Sequence, residues 1–250
     1  MSASRMKKRY MGFVGLIFIF LLAISTEAQA KLFGFAAITN NSGVEGDMAL
    51  QLSVDVEAYG TNQVSFTFYN NALDPYQNAS PVSGIITKVL FDDGALLGIA
   101  NVFNGPGVQF SQIGGTDMPV LQGGNGSPIY FETTAGFGTN ADPPPPQNGV
   151  GPWDPSLEPW NPEYVQIVFN LESSLTSDDV IDAIYRGFTD PLNEDALRIG
   201  LHVQNLGGDL DGDGVPGDFS DSFILTPVPG AVILGILGLG VAGIKLRNFV

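Results

Sequence analysis

Apolar and polar residues alternate along the middle of this chain in short runs with a period of two, the repeat that a pleated strand imposes on its two faces. Met48, Leu50, Leu52, Val54 and Val56 interleave with Gln51, Ser53, Asp55 and Glu57, which predicts one long half-buried strand. Val64, Phe66 and Phe68 alternate with Ser65, Thr67 and Tyr69 just after a turn at 59–62, so the two runs predict an antiparallel hairpin. Further strands are predicted at 85–91, closed by Asp92-Asp93-Gly94, and at 96–103, closed by Asn104-Gly105-Pro106-Gly107. The alternation returns at Val165, Ile167, Phe169 and Leu171, and again at Leu197, Ile199, Leu201 and Val203. A short last strand is predicted at 223–225.

One segment has helical spacing. Thr176 stands at an N-cap position, Asp178 and Asp179 suit the positive end of the helix dipole, and Val180, Ile181 and Ile184 form an apolar stripe ending near Arg186-Gly187. Between 114 and 162 the chain is rich in Gly, Pro and Asn and includes four consecutive prolines at 143–146. That stretch reads as a long irregular surface excursion with one candidate strand at 129–133. Many short strands, glycine turns and a single helix predict an all-β fold, an antiparallel β-sandwich that is jelly-roll-like.

The two ends have a different pattern. Arg5, Lys7, Lys8 and Arg9 precede an apolar stretch from Met11 to Ile24, and Ala28-Gln29-Ala30 follows. A charged start, an apolar core and small residues at Ala28 and Ala30 make a secretory signal peptide over 1–30, with cleavage expected after Ala30. At the other end, Pro227-Val228-Pro229 interrupts the chain before an apolar run of 14 residues from Ala231 to Ile244, closed by Lys245 and Arg247. A bilayer-spanning helix needs about 20 residues, so this is a short span whose cationic ends can snorkel. The expected division is a signal over 1–30, an extracellular passenger over 31–226 and a sorting or transmembrane segment over 227–250.

Proline pair, glycine-studded apolar helix and basic end together resemble the PEP-CTERM sorting signal of bacterial surface proteins. In that family an exosortase, a membrane protease, cuts the signal and releases or transfers the passenger outside the cell. The resemblance implies sorting at Pro227, Val228 and Pro229, although the glutamate usual between the prolines is Val228 here. The runs ITKVLFDDGALLGIANV and LRIGLHVQ resemble a passenger common among such proteins, over roughly 35–225. That likeness implies an extracellular role and supplies no chemistry.

Charge narrows the partners. Between 31 and 226 only Lys31, Lys88, Arg186 and Arg198 are basic, and of 26 acidic residues only Glu27 lies outside. Four positive charges against twenty-five negative give that stretch a net charge of −21. Such a surface repels nucleic acid and anionic lipid and attracts cations, so no nucleic-acid partner is expected. There is no cysteine, which excludes disulfides and thiolate metal sites.

Four groups of residues are chemical candidates. His202, the only histidine, lies on the polar face of its strand with Arg198 and Gln204, and no GxSxG-type elbow accompanies it. Asp92-Asp93 and Asp178-Asp179 have the composition of half a glycosidase pair, but a turn and a helix start explain them more simply. Trp153, Trp160 and Tyr164 gather in a proline-rich loop, where flat rings suit stacking on sugars or covering an open end of the fold. Asp209, Asp211 and Asp213 take positions 1, 3 and 5 of a calcium loop, with Gly214 at the sharp turn and the Val215 carbonyl next. This loop resembles those of dockerins and thrombospondin type 3 repeats. Ser220 replaces the bidentate glutamate, so Asp218 or Asp221 is needed to complete the shell of a weak calcium site. The expectation is an exported, non-catalytic acidic protein of the cell surface or extracellular matrix, handled by the export machinery and an exosortase-type protease. A carbohydrate-binding module or adhesin for exopolysaccharide is the alternative.

Overall fold

A computed structural model describes residues 31–70, 82–92, 96–113, 119–134, 137–141, 148–152, 163–172, 174–207 and 219–227. The signal region, the apolar tail, Trp153, Trp160 and the aspartates from 209 to 218 lie outside those residues. Among the described residues, no helix is long and apolar enough to cross a membrane.

The strands are β1 (Lys31–Ala37), β2 (Leu52–Ala58), β3 (Gln63–Asn70), β4 (Ile85–Asp92), β5 (Leu96–Asn104), β6 (Phe110–Gln112), β7 (Gly138–Ala141), β8 (Tyr164–Leu171), β9 (Arg198–Leu206) and β10 (Phe219–Thr226). Among the described residues two helices accompany them, α1 (Glu45–Ala49) and α2 (Ser177–Thr189). The fold is all-β and antiparallel, as the alternation predicts. Its strands form one ten-stranded sheet in the order β5-β8-β3-β2-β1-β10-β9-β4-β7-β6, curled nearly into a barrel, so the expected layers are opposing parts of a single sheet. The outermost strands meet at one corner. There the Asn104 side chain accepts from the Phe110 N–H at 2.8 Å and donates to its carbonyl at 3.1 Å, a side-chain amide standing in for a ladder rung.

Burial of the inward halves of the strands drives the curl. Phe66 meets Phe91 and Phe169 edge-on at 5.2 and 5.7 Å, and Phe91 meets Phe169 at 4.7 Å, joining β3, β4 and β8 across the interior. Inward spacing slips where the ladder bulges. Ile86, Val89 and Phe91 all face the core although Ile86 and Val89 are three apart, because the register of β4 with β9 shifts between Ile86 and Lys88.

The sequence reading needs four corrections. The strand expected from Met48 is helical at its start: α1 buries Met48 and leaves Leu50 66% exposed. Glu45 and Asp47 suit a helix start, and Met48 and Leu50 at the end of the run cannot by themselves separate helix from strand. β1 was not foreseen, nor were β6 and β7. No strand forms at 129–133. Residues 119–134 pack onto the outside of the sheet instead of ranging over the surface, with Leu121 and Phe131 buried against Leu90 and beside Ile38, Ile129 and Ile224. Gly200 makes that approach possible, since a Cβ there would lie 2.5 Å from a Leu121 methyl. The predicted helix, by contrast, matches α2 in its N-cap: Thr176 and Asp179 form a reciprocal capping box.

Register gives the barrel two distinct poles. Gly34 of β1 lies opposite Thr226 of β10, so β1 starts and β10 ends at one pole, which α2 also occupies between β8 and β9. At the opposite pole lie α1, the start of β8 and the paired base of the β9–β10 connection, where Leu206 faces Phe219.

Candidate functional site

Asp221 sits at the base of the aspartate-rich connection, fully buried. Its Oδ1 accepts from the Thr39 hydroxyl at 2.7 Å and the Asn41 N–H at 2.8 Å; its Oδ2 accepts from the Ser42 hydroxyl at 2.5 Å and the Ser42 N–H at 3.1 Å. Burial alone would raise the carboxyl, but these donors together hold it below its ordinary range. Four donors fill the acceptor positions of a carboxylate. Asp221 therefore clasps the β1–α1 segment to β10 and, as placed, has no lone pair left for a cation. The other candidate ligands, Asp209, Asp211, Asp213, Val215 and Asp218, lie outside the described residues, among which no group of three acidic or histidine side chains could hold a metal ion.

His202 faces outward on β9, opposite Lys88 and Ser222. Burial depresses its pKa, Lys88 adds to that, and Asp221 opposes it. Asp92, at the end of β4, is paired with Arg198 opposite it and accepts the Glu132 N–H at 2.8 Å. Burial raises its carboxyl in spite of those two favourable contacts. Arg198 also donates to the Ile129 carbonyl at 2.6 Å, so the pair pins the 119–134 segment to the barrel. Asp178 and Asp179 belong to the first turn of α2.

Tyr164 opens β8 and stands opposite Tyr69, with ring centroids 6.3 Å apart. Both rings are half-buried on the outside of the sheet, because Val165, Ile167, Phe66 and Phe68 take the inward positions. The next row crosses four strands: Asp55 on β2, Thr67 on β3, Gln166 on β8 and Phe103 on β5. Gln166 donates to Thr67 at 3.1 Å, and Phe103, 36% exposed, lies 6.2 Å from the Tyr59 ring. A third row carries Glu57, Ser65, Val168 and Asn101. Burial raises the Asp55 carboxyl, and neighbouring Glu57 raises it further. Burial likewise raises the Tyr69 phenol, followed by the charges of Asp55 and Glu57.

Of the predicted aromatic group, only Tyr164 lies among the described residues; Pro227 is described and Val228 and Pro229 are not. Tyr69, Asp55, Glu57 and Gln166 were missed as a surface, although the signal was present. They are the outward phase of the same alternation whose inward phase identified the strands. No family model, no curated protein and no solved structure matches this chain.

Proposed function

We propose that this chain is an exported, acidic, non-catalytic protein of the cell surface or extracellular matrix. Residues 1–30 address it to the export machinery, and the apolar stretch beyond Pro227 holds it to the membrane at least in passing. An exosortase-type protease acting near Pro227-Val228-Pro229 belongs to the same reading.

The observation that supports it is the polarity of the barrel. Lys31, the residue after the expected signal cleavage, opens β1, and Thr226, just before the proline pair, closes β10 at the same pole. A barrel tethered there turns its other pole outward. That is the pole at which the chain leaves β9 for the aspartate loop at Leu206 and enters β8 from the aromatic loop at Tyr164. Weak calcium binding by Asp209, Asp211, Asp213, Val215 and Asp218 would then take place at the exposed end.

Fractionation of cells producing the full chain, tagged after Lys31 and at the C-terminus, tests the reading. The internal tag is expected in the envelope or medium, on a protein beginning at Lys31 and lacking the C-terminal tag. Cytoplasmic retention with residues 1–30 intact overturns it; a mature form that keeps Lys245 and Arg247 replaces transient sorting with a permanent anchor. A second reading, a carbohydrate-binding module or adhesin for exopolysaccharide, is favoured by the half-exposed Tyr69–Tyr164 ring pair.

A further inference from the structure

The geometry points to a binding face for an uncharged polysaccharide on the outside of β2, β3, β8 and β5, built from Tyr69, Tyr164, Phe103, Asp55, Glu57 and Gln166. The inference rests on the carbohydrate reading and moves its site from the proline-rich loop to the barrel wall.

Three features converge. The first is shape and surface: two aromatic pairs, Tyr69 with Tyr164 and Phe103 with Tyr59, stand on one side of the sheet with rings partly open to solvent. Sugar rings present apolar C–H faces that stack on such rings. From β2 to β5 the rows cross three strand spacings, about 14 Å, enough for more than one pyranose ring.

The second is unused hydrogen-bonding capacity. Asp55 is half-buried, and neither a donor nor a counter-ion meets its carboxylate among the described residues; its neighbour Glu57 repels it. The Ser65 hydroxyl, in the middle of the same face between Glu57 and Val168, is buried and has no hydrogen-bond partner among the described residues. Sugar hydroxyls are donors in adjacent pairs, which is what a bare carboxylate accepts. By contrast, the buried carboxylate of Asp221 is saturated by its own chain.

The third is charge. The patch carries two carboxylates, and the stretch from 31 to 226 is strongly acidic, so an anionic polymer would be repelled. A neutral polymer fits.

Affinity electrophoresis of the full chain through gels containing dextran, galactomannan, hydroxyethylcellulose or alginate tests this. Retardation is expected with at least one neutral polymer and not with alginate. Tyr69→Ala with Tyr164→Ala should weaken it about tenfold or more, as loss of two stacking rings implies. Asp55→Asn, at an unchanged or slightly higher unfolding temperature, and Gln166→Ala, at one lowered only slightly by loss of the bond to Thr67, each leave the rings in place and should weaken it severalfold, which keeps the test valid if the double tyrosine variant does not fold. Retardation that survives all of these but is lost in Trp153→Ala with Trp160→Ala overturns the face and leaves the carbohydrate reading intact. No retardation by any of the polymers overturns both, and retardation by alginate alone overturns the charge argument and this face with it.

Discussion

The barrel has two outer flanks that the same strand chemistry built for different ends. Over β4, β9 and β10, residues 119–134 lie directly on the sheet, with Leu121 and Phe131 sealed against Leu90 and Gly200 leaving the room they need. Over β2, β3 and β8, Asp55, Glu57, Tyr69, Tyr164 and Gln166 are part-exposed to solvent around the buried Ser65, Thr67 and Val168. Each flank has a carboxylate raised by burial. Asp92 on the covered flank has Arg198 and a backbone N–H; among the described residues Asp55 meets only the repulsion of Glu57. A carboxylate with partners closes a structure. One left without them costs stability, and such costs gather where a surface serves something other than folding.

The largest expected effect breaks the covered flank. Leu121 is 1% exposed in a small cluster, so Leu121→Ala should cost about 3 kcal/mol in urea unfolding, from lost burial and the cavity left behind. Tyr69→Ala on the open flank should cost clearly less. Equal losses at the two positions would mean that both flanks are structural, and the contrast would fail.

A middle effect comes from the clasp on that flank. Arg198→Ala leaves the Asp92 carboxylate buried beside a single N–H donor and frees the Ile129 carbonyl. About 2 kcal/mol should be lost, in keeping with the cost of an orphaned buried acceptor. Limited proteolysis should then cut first within 119–134. Cleavage elsewhere, with 119–134 still protected, would show that the apolar cluster alone holds the segment.

How much of this was legible in the sequence differs between the same flanks. The open flank belongs to β2, β3 and β8, whose alternation at Val64–Phe66–Phe68 and Val165–Ile167–Phe169 is unbroken, so strand and face could both be read. β1 carries the same signal in Phe33 and Phe35, but it is short and follows directly on the signal-like end. The covered flank was harder, because its outer face depends on contacts distant in sequence. Gly200 means nothing locally and acquires a reason only when Leu121 arrives. β7, Gly138–Ala141, has no apolar alternation and is a strand because β4 and β6 pair with it. The donors to Asp221 lie about 180 residues away, so nothing in its local sequence shows that Thr39, Asn41 and Ser42 surround its carboxylate.

The smallest effect sharpens the comparison most. Folding raises the Asp55 carboxyl above its ordinary 3.8, through burial first and Glu57 second, so the native state holds this proton more tightly than the unfolded chain does. Where the native state binds more protons, stability falls as pH rises. Asp55 should therefore reduce stability progressively as pH climbs from about 3.8 through its raised folded value, and by a constant amount above that. Asp55→Asn removes the charge and keeps the shape. The variant should melt no more than about 2 °C above the parent at pH 7, since a half-exposed charge is well screened, and the gain should vanish near pH 3. The same substitution should weaken retention in the neutral polysaccharide gel, so stability and binding move in opposite directions at one side chain. Asp221→Asn serves as the contrast: its folded carboxyl lies below the ordinary range, so the stability it supplies is present above that range and is lost as pH falls through the folded value. If Asp55→Asn lowers the melting temperature at pH 7, or shifts it equally at pH 3, then Asp55 has a donor after all and belongs with the structural carboxylates.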